Sequence, residues 1–215
     1  MSRRRLDQEL VRQGLVENRS HAQEMIKAGR VTVDGAPADK ASRMVAPSQS
    51  LQVAGDPPRY VSRGGLKLES ALEHFNLDIQ GLKAVDVGSS TGGFTDCLLQ
   101  HGASSVVALD VGRGQLHHRL LTDERVNVYE RTNIRHVDPT EIGAPFDLLV
   151  ADLSFISLTL ILINLLDLVN DGSSLLLLVK PQFEAGKRQV DEGKGVIKDP
   201  RIWSEVLNEI EMSVR

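Results

Sequence analysis

The chain has 215 residues, 41% of them hydrophobic and 25% charged, with a formal net charge of −4. That suits one ordinary domain plus a small one, with enough apolar material for a real core. The single cysteine, Cys97, excludes a disulfide framework and a cysteine-rich zinc site and points to a reduced, cytoplasmic setting. The charged start Met1-Ser-Arg-Arg-Arg leads into no apolar run, so no secretory signal is expected. The net charge hides an asymmetry: residues 1–67 carry 12 Lys/Arg against 7 Asp/Glu, and the remainder carries 13 against 22. A basic module fused to an acidic one suggests that the first meets a polyanion.

Leu6, Leu10 and Leu15 recur at near-helical spacing and predict a short amphipathic helix over residues 5–15. A second helix is expected after Asn18-Arg-Ser-His, with Ser20 as its cap, Gln23 completing a capping box, and Gly29 just past its end. Arg30-Val-Thr-Val then reads as a strand, and Asp34-Gly35 as a tight turn that tolerates positive φ. Another strand is expected around Ser50–Val53, and Gly55-Asp-Pro-Pro reads as a linker. Residues 1–58 therefore form a small α+β domain and residues 59–215 a second domain.

In the second domain Leu66–Phe75 looks helical. Short apolar strands follow at Lys83–Val87, Ser105–Leu109, Val126–Tyr129, Phe146–Ala151 and Ser174–Val179, separated by helical or loop stretches. Runs such as Leu175-Leu-Leu-Leu-Val do not alternate, so both faces are expected to be buried, as in a parallel sheet. The fold class is α/β, doubly wound and Rossmann-like. Leu153–Val169, the longest apolar stretch, is interrupted by Ser154, Ser157, Thr159, Asn164 and Asp167. A membrane span needs roughly 20 apolar residues, so this stretch predicts a buried loop and helix and no membrane partner.

In open parallel sheets, ligands sit beyond the C-terminal ends of the strands. Asp86, Gly88, Asp110, Asn133, Asp152 and Lys180 all fall there. The turn Gly88-Ser89-Ser90-Thr91-Gly92-Gly93-Phe94 is neither the spaced G-x-G-x-x-G of dinucleotide enzymes nor a P-loop. It resembles the first motif of S-adenosylmethionine methyltransferases, and Asp110 would then accept hydrogen bonds from the ribose hydroxyls. Lys180, directly after an all-apolar strand, is expected to bring a proton-carrying tip to the crevice, with Asp152 as its partner. Lys67 could reach the same mouth, although taken alone it reads as a solvated helix lysine. His117 and His118 are adjacent and would point apart on a helix, so no metal site is expected, and Cys97 reads as core. Arg3, Arg4, Arg5, Arg12, Arg19, Lys27 and Arg30 surround the N-terminal helices and suit phosphate contacts. No aromatic residue precedes Tyr60, so recognition of folded RNA by shape and backbone is expected.

A set of segments carries a family resemblance. They are Arg5-Leu-Asp-Gln-Glu-Leu-Val, Val61-Ser-Arg-Gly-Gly-Leu-Lys-Leu, Ser90-Thr-Gly-Gly-Phe-Thr, Asp110-Val-Gly-Arg-Gly-Gln-Leu, Glu130-Arg-Thr-Asn, Ala151-Asp-Leu-Ser-Phe-Ile-Ser and Val179-Lys-Pro-Gln-Phe-Glu. In this order and spacing they resemble the TlyA family of hemolysin-like rRNA 2′-O-methyltransferases. The resemblance implies an RNA-binding domain of the ribosomal-protein-S4 type, an FtsJ-like methyltransferase domain, S-adenosylmethionine as cofactor, and cytidine 2′-hydroxyls of ribosomal RNA as substrate. It also implies a Lys-Asp-Lys-Glu tetrad, of which Lys67, Asp152 and Lys180 match.

The family's glutamate lies in a strand beyond the Gly193–Pro200 segment, and neither Glu184 nor Glu192 matches it. Two further strands of the usual sheet are also not matched by residue 215. The sequence thus predicts a C-terminally incomplete sheet with its fifth strand at an edge, and a fragment or truncated product with impaired activity. Two other readings stand beside the enzyme: a non-catalytic RNA- or ribosome-binding protein that keeps a cofactor pocket, and a membrane-active hemolysin.

Overall fold

The computed structural model describes residues 3–55, 58–185 and 197–214. By internal contacts the chain divides into two compact units, residues 1–62 and 63–215.

The first unit packs two helices against short strands. Helix α1 (Leu6–Arg12) and helix α2 (Arg19–Lys27) meet strands β1 (Arg4–Arg5), β2 (Val31–Val33), β3 (Ala36–Pro37), β4 (Met44–Val45) and β5 (Leu51–Val53). Strand β2 lies between β3 and β5, and β1 pairs with β4, all antiparallel. Leu6, Leu10, Ala22, Ile26, Val31, Val33 and Val45 fill the core. The cap of α2 is not Ser20 but Asn18, whose extended backbone lets its side chain accept the His21 N–H at 2.9 Å. An asparagine three residues before that free N–H is as good a cap as serine, and it absorbs the group first. Gly29, at φ 68°, ends the helix, while the Arg30 N–H bonds back to the Met25 carbonyl. Asp34 and Gly35 both take positive φ, as the two-residue turn between β2 and β3 demands.

The second unit is built on a parallel sheet of five strands: β6 (Lys83–Val87), β7 (Ser105–Leu109), β8 (Val126–Tyr129), β9 (Phe146–Ala151) and β10 (Val169–Leu177). Their order is β10-β9-β6-β7-β8. Val85, Val87, Val107, Leu109, Phe146, Leu149 and Ala151 are buried together, which explains why these strands are apolar without alternation. Val206 and Ile210 of the last helix, Pro200–Val214, join the same core. Strand β10 starts earlier than the apolar run suggests, at Val169, with an irregularity before Ser174, and it forms one edge among the described strands. Within Leu153–Val169, Leu158, Ile161, Leu162 and Leu165 are buried as expected, but Phe155 is 91% exposed.

The register sets the site. Val87 lies opposite both Leu109 and Ala151, so the three strands end level. The next residues, Gly88, Asp110 and Asp152, therefore line up along one rim.

Candidate active site

Helix α3 (Gly64–His74) brings Lys67 to this rim, and the segment after β10 brings Lys180. Their ammonium groups meet on one carboxylate: Lys67 Nζ is 2.9 Å from Asp152 Oδ2, and Lys180 Nζ is 2.6 Å from Asp152 Oδ1. Lys180 also donates to Ser154 Oγ at 2.8 Å. Burial pushes the Asp152 carboxyl up, but hydrogen bonds from the two lysines outweigh it and leave the group below its ordinary value. Lys67, read alone from sequence as a solvated lysine, is half exposed at its stem yet tied to the cluster at its tip.

Asp152 also borders a cleft of about 340 Å³ with Gly88, Ser90, Asp110, Gln115, Thr132, Ile134 and Phe155. That volume is in the range of small-molecule sites. Gly88 has φ 84°, and a Cβ there would sit 2.9 Å from Leu153 and 3.3 Å from the Asp152 carbonyl. The glycine thus keeps both an unusual backbone and a close wall. Such a cradle, with the Asp110 carboxylate on its lining as an acceptor for hydroxyl groups, fits an adenosyl ligand.

Of the residues expected to bind the cofactor, Gly88, Ser90 and Asp110 line the cleft. The others do not line it. Asp86 is buried and accepts from the Thr95 N–H at 2.9 Å and the Thr95 hydroxyl at 2.7 Å. Desolvation pushes its carboxyl up to about 7 despite those bonds. Gly92, at φ 92°, starts helix α4 (Gly93–Gln100), and a Cβ there would collide with Leu120 and Leu116. Ser89 and Phe94 are buried, and the Thr91 carbonyl accepts the His117 N–H. Asn133 is exposed and caps the 3₁₀ turn Ile134–His136, while its neighbours Thr132 and Ile134 face the cleft. A strand-end position places a residue at the rim, but the local turn decides which side chain points inward. Asp110 is already engaged: its oxygens accept from the Ser90 N–H at 2.7 Å and the Gly112 N–H at 2.6 Å. These bonds aim the carboxylate and still leave lone pairs for a ribose.

Sequence reasoning missed Ser154, Gln115, and the aromatic pair Phe155 and Phe183, whose ring centres are 5.2 Å apart. The positive φ of 65° at Phe155 has no glycine to announce it. Glu184, left unassigned, accepts from Ser157 Oγ and the Leu158 N–H and so fixes the turn beside the site. Glu192 lies outside the described residues. Cys97 is buried, as expected.

In the N-terminal unit, two buried carboxylates organise much of the basic surface. Asp7 takes Arg5 Nε and Nη2 at 3.0 and 2.9 Å and Arg19 Nε at 2.8 Å. The Arg5 guanidinium, with Arg19 and Gln23, holds this carboxyl well below the usual carboxylate range. Glu9 takes Arg12 in the same way and lies 3.8 Å from Arg4. Arg3, Lys27 and Arg30 are exposed, and Arg5 and Arg19 turn only part of their forks to solvent.

Comparison with known proteins decides the family. A model of FtsJ-like methyltransferases matches residues 60–215, and a model of the S4 domain matches residues 4–51. The chain is 50% identical, over 94% of its own length and 76% of the relative's, to the 16S/23S rRNA (cytidine-2′-O)-methyltransferase TlyA of Mycobacterium tuberculosis. The chain belongs to the TlyA family of FtsJ-like methyltransferases. Another TlyA-family relative, named Hemolysin A, from Brachyspira hyodysenteriae, is 38% identical over 95% of this chain and 85% of its own. A solved hemolysin-like protein from Streptococcus thermophilus superposes with a TM-score of 0.75 at 40% identity, covering all of this chain and 78% of the other. The TlyA-family fold therefore joins an S4 domain to a parallel five-stranded methyltransferase sheet.

Proposed function

We propose that the protein transfers a methyl group from S-adenosylmethionine to a ribose 2′-hydroxyl of ribosomal RNA, at cytidine. The observation that carries this reading is one shared residue: Asp152 both walls the glycine-lined cleft and holds the ammonium groups of Lys67 and Lys180.

When bound, S-adenosylmethionine supplies a methyl group made electrophilic by its sulfonium. The chain's own residues do the rest. Asp110, aimed by the Ser90 and Gly112 N–H groups, accepts from the ribose of the cofactor. Lys180 Nζ, once it has released one proton to solvent and carries a free lone pair, accepts the proton of the RNA 2′-hydroxyl as that oxygen attacks. Asp152 fixes the Lys180 tip, with Ser154 as second acceptor, and Lys67 holds Asp152 from its other oxygen. Most of the rate gain comes from holding oxygen and methyl in line and from the charge of the cluster.

Residues 1–58 supply RNA recognition and residues 59–215 the chemistry. Arg3, Arg4, Lys27 and Arg30, with the free edges of Arg5 and Arg19, contact phosphates of ribosomal RNA in a ribosomal subunit. A ribosomal target places the protein in the cytoplasm. For the membrane-active reading, no helix among the described residues is long and apolar enough to cross a bilayer. The test is transfer of labelled methyl from S-adenosylmethionine to ribosomal RNA. Incorporation by the wild-type chain and its loss in Lys180→Ala are expected. Equal incorporation by both proteins removes Lys180 from the chemistry, and salt-sensitive RNA binding with no incorporation leaves only the binding-protein reading.

A further inference from the structure

Gln115 lines the cofactor cleft but belongs to none of the groups assigned above. It sits in the loop between β7 and helix α5 (His118–Leu121), and that loop is strapped to the glycine turn at three points. The Ser90 hydroxyl donates to Gln115 Oε1 at 3.2 Å. The His117 N–H bonds to the Thr91 carbonyl at 3.2 Å. Leu116 and Leu120 cover Gly92 so closely that a Cβ there would lie 2.8 and 2.2 Å from them. The Ser90 side chain is presented from a backbone with φ 48°, in the left-handed region that a serine enters only when its surroundings hold it there.

The carboxamide also lies directly over the Asp110 turn. A Cβ on Gly112 would be 1.9 Å from Gln115 Nε2 and 3.0 Å from Asp110 Oδ1. Gly112 has no positive φ, and the space left by its missing Cβ is taken by that carboxamide. The Nε2 group, with two N–H donors, has no hydrogen-bond partner among the described residues. A ribose diol presents two kinds of need. Its O–H groups want acceptors, which Asp110 provides. Its oxygen lone pairs want donors, which Asp110 cannot provide.

We propose that Gln115 is a positioning residue for the adenosyl ribose: its Nε2 donates to the ribose 2′-hydroxyl oxygen while Oε1 keeps the Ser90 hydroxyl, clasping the ligand between the two lips of the cleft. This rests on the adenosyl reading of the cleft. The clasp makes the site read the 2′-hydroxyl of its own cofactor, so a 2′-deoxyadenosyl ligand binds more weakly than the ribo form.

The experiment measures calorimetric affinities of S-adenosylhomocysteine and its 2′-deoxyadenosyl counterpart for the full chain and for Gln115→Ala, Gln115→Glu and Asp110→Ala. Gln115→Ala is expected to bind S-adenosylhomocysteine about tenfold more weakly and to lose part of its preference for the ribo over the deoxy ligand, the part that Asp110 does not supply. Gln115→Glu, which sets a second carboxylate beside Asp110, weakens binding further. A merely structural role would weaken both ligands alike and keep the preference. If Asp110→Ala loses affinity while Gln115→Ala binds both ligands as wild type does, the clasp is wrong and the cleft stands. If Asp110→Ala also binds as wild type does, the adenosyl reading of the cleft fails and takes the clasp with it. Gln115 is exposed, so its truncation spares the core. Gln115→Glu, of the same shape, carries the comparison should Gln115→Ala not fold.

Discussion

Replacing Asp152 by asparagine keeps its shape and removes the charge that holds two lysines. The Lys67 pair is half exposed and is worth about 0.5 kcal/mol, as surface pairs are. In the Lys180 pair both side chains are only about one-fifth exposed, 19% and 20%, and the contact is short. A charge-assisted bond of this kind contributes about 2 kcal/mol. Asp152→Asn should therefore destabilise the methyltransferase unit by about 2 to 3 kcal/mol, which lowers its melting temperature by roughly 5 to 10 °C for a unit of this size. Trp203, the single tryptophan, lies in that unit and reports its unfolding by fluorescence. The pH dependence has a definite sign. The Asp152 carboxyl is depressed in the folded state from 3.8, so its contribution is present above that pH and is lost as pH falls below it. The gap between wild type and variant should be full at pH 7 and shrink once pH falls below about 4. An unchanged melting temperature at pH 7, or a gap of constant size down to acid pH, would refute the reasoning.

Three other outcomes follow from the same geometry. Lys180→Ala should lower kcat by at least about a hundredfold while S-adenosylhomocysteine affinity stays within a few-fold, and Lys67→Ala should cost less, because among the described residues its polar partner is Asp152 alone; single-turnover rates and calorimetry separate the two effects. Asp86, pushed up to about 7 by burial, keeps its proton in the folded state where the unfolded chain releases it. Wild-type stability should then decline as pH rises from about 4 to about 7 and level off above, whereas Asp86→Asn should flatten that stretch in urea midpoints measured at pH 5 and pH 8. Asp7→Ala should destabilise the N-terminal unit by about 2 to 3 kcal/mol, because a fully buried carboxylate and its two arginine partners are uncoupled; faster amide exchange over residues 6–27 is the readout.

The sheet was legible because its physics is one-dimensional. Ala84-Val85, Val106–Leu109 and Leu148–Ala151 are buried on both faces, so the apolar run itself marks the strand, and the first polar residue after it marks the rim. Asp110, Asp152 and Lys180 could be placed for that reason. Loops do not obey it. Asn133 stands at a strand end yet turns outward to cap a 3₁₀ turn, and Gln115 stands nowhere near one yet folds over Asp110. The start of β10 at Val169 was hidden because Asn170, Asp171 and Gly172 look like a turn, and only pairing with β9 shows the strand. Counting arginines likewise showed a basic surface but not that buried Asp7 and Glu9 organise it. The family resemblance supplied what neither periodicity nor charge could: that Lys67, unremarkable on its helix, belongs with residues 85 and 113 positions away.

The most direct test of the central claim is nucleoside mass spectrometry of ribosomal RNA incubated with the chain and S-adenosylmethionine. A methyl group on the ribose oxygen of cytidine is expected, absent when Lys180→Ala replaces the wild type. A methyl group found on a base, or undiminished ribose methylation by Lys180→Ala, would contradict it.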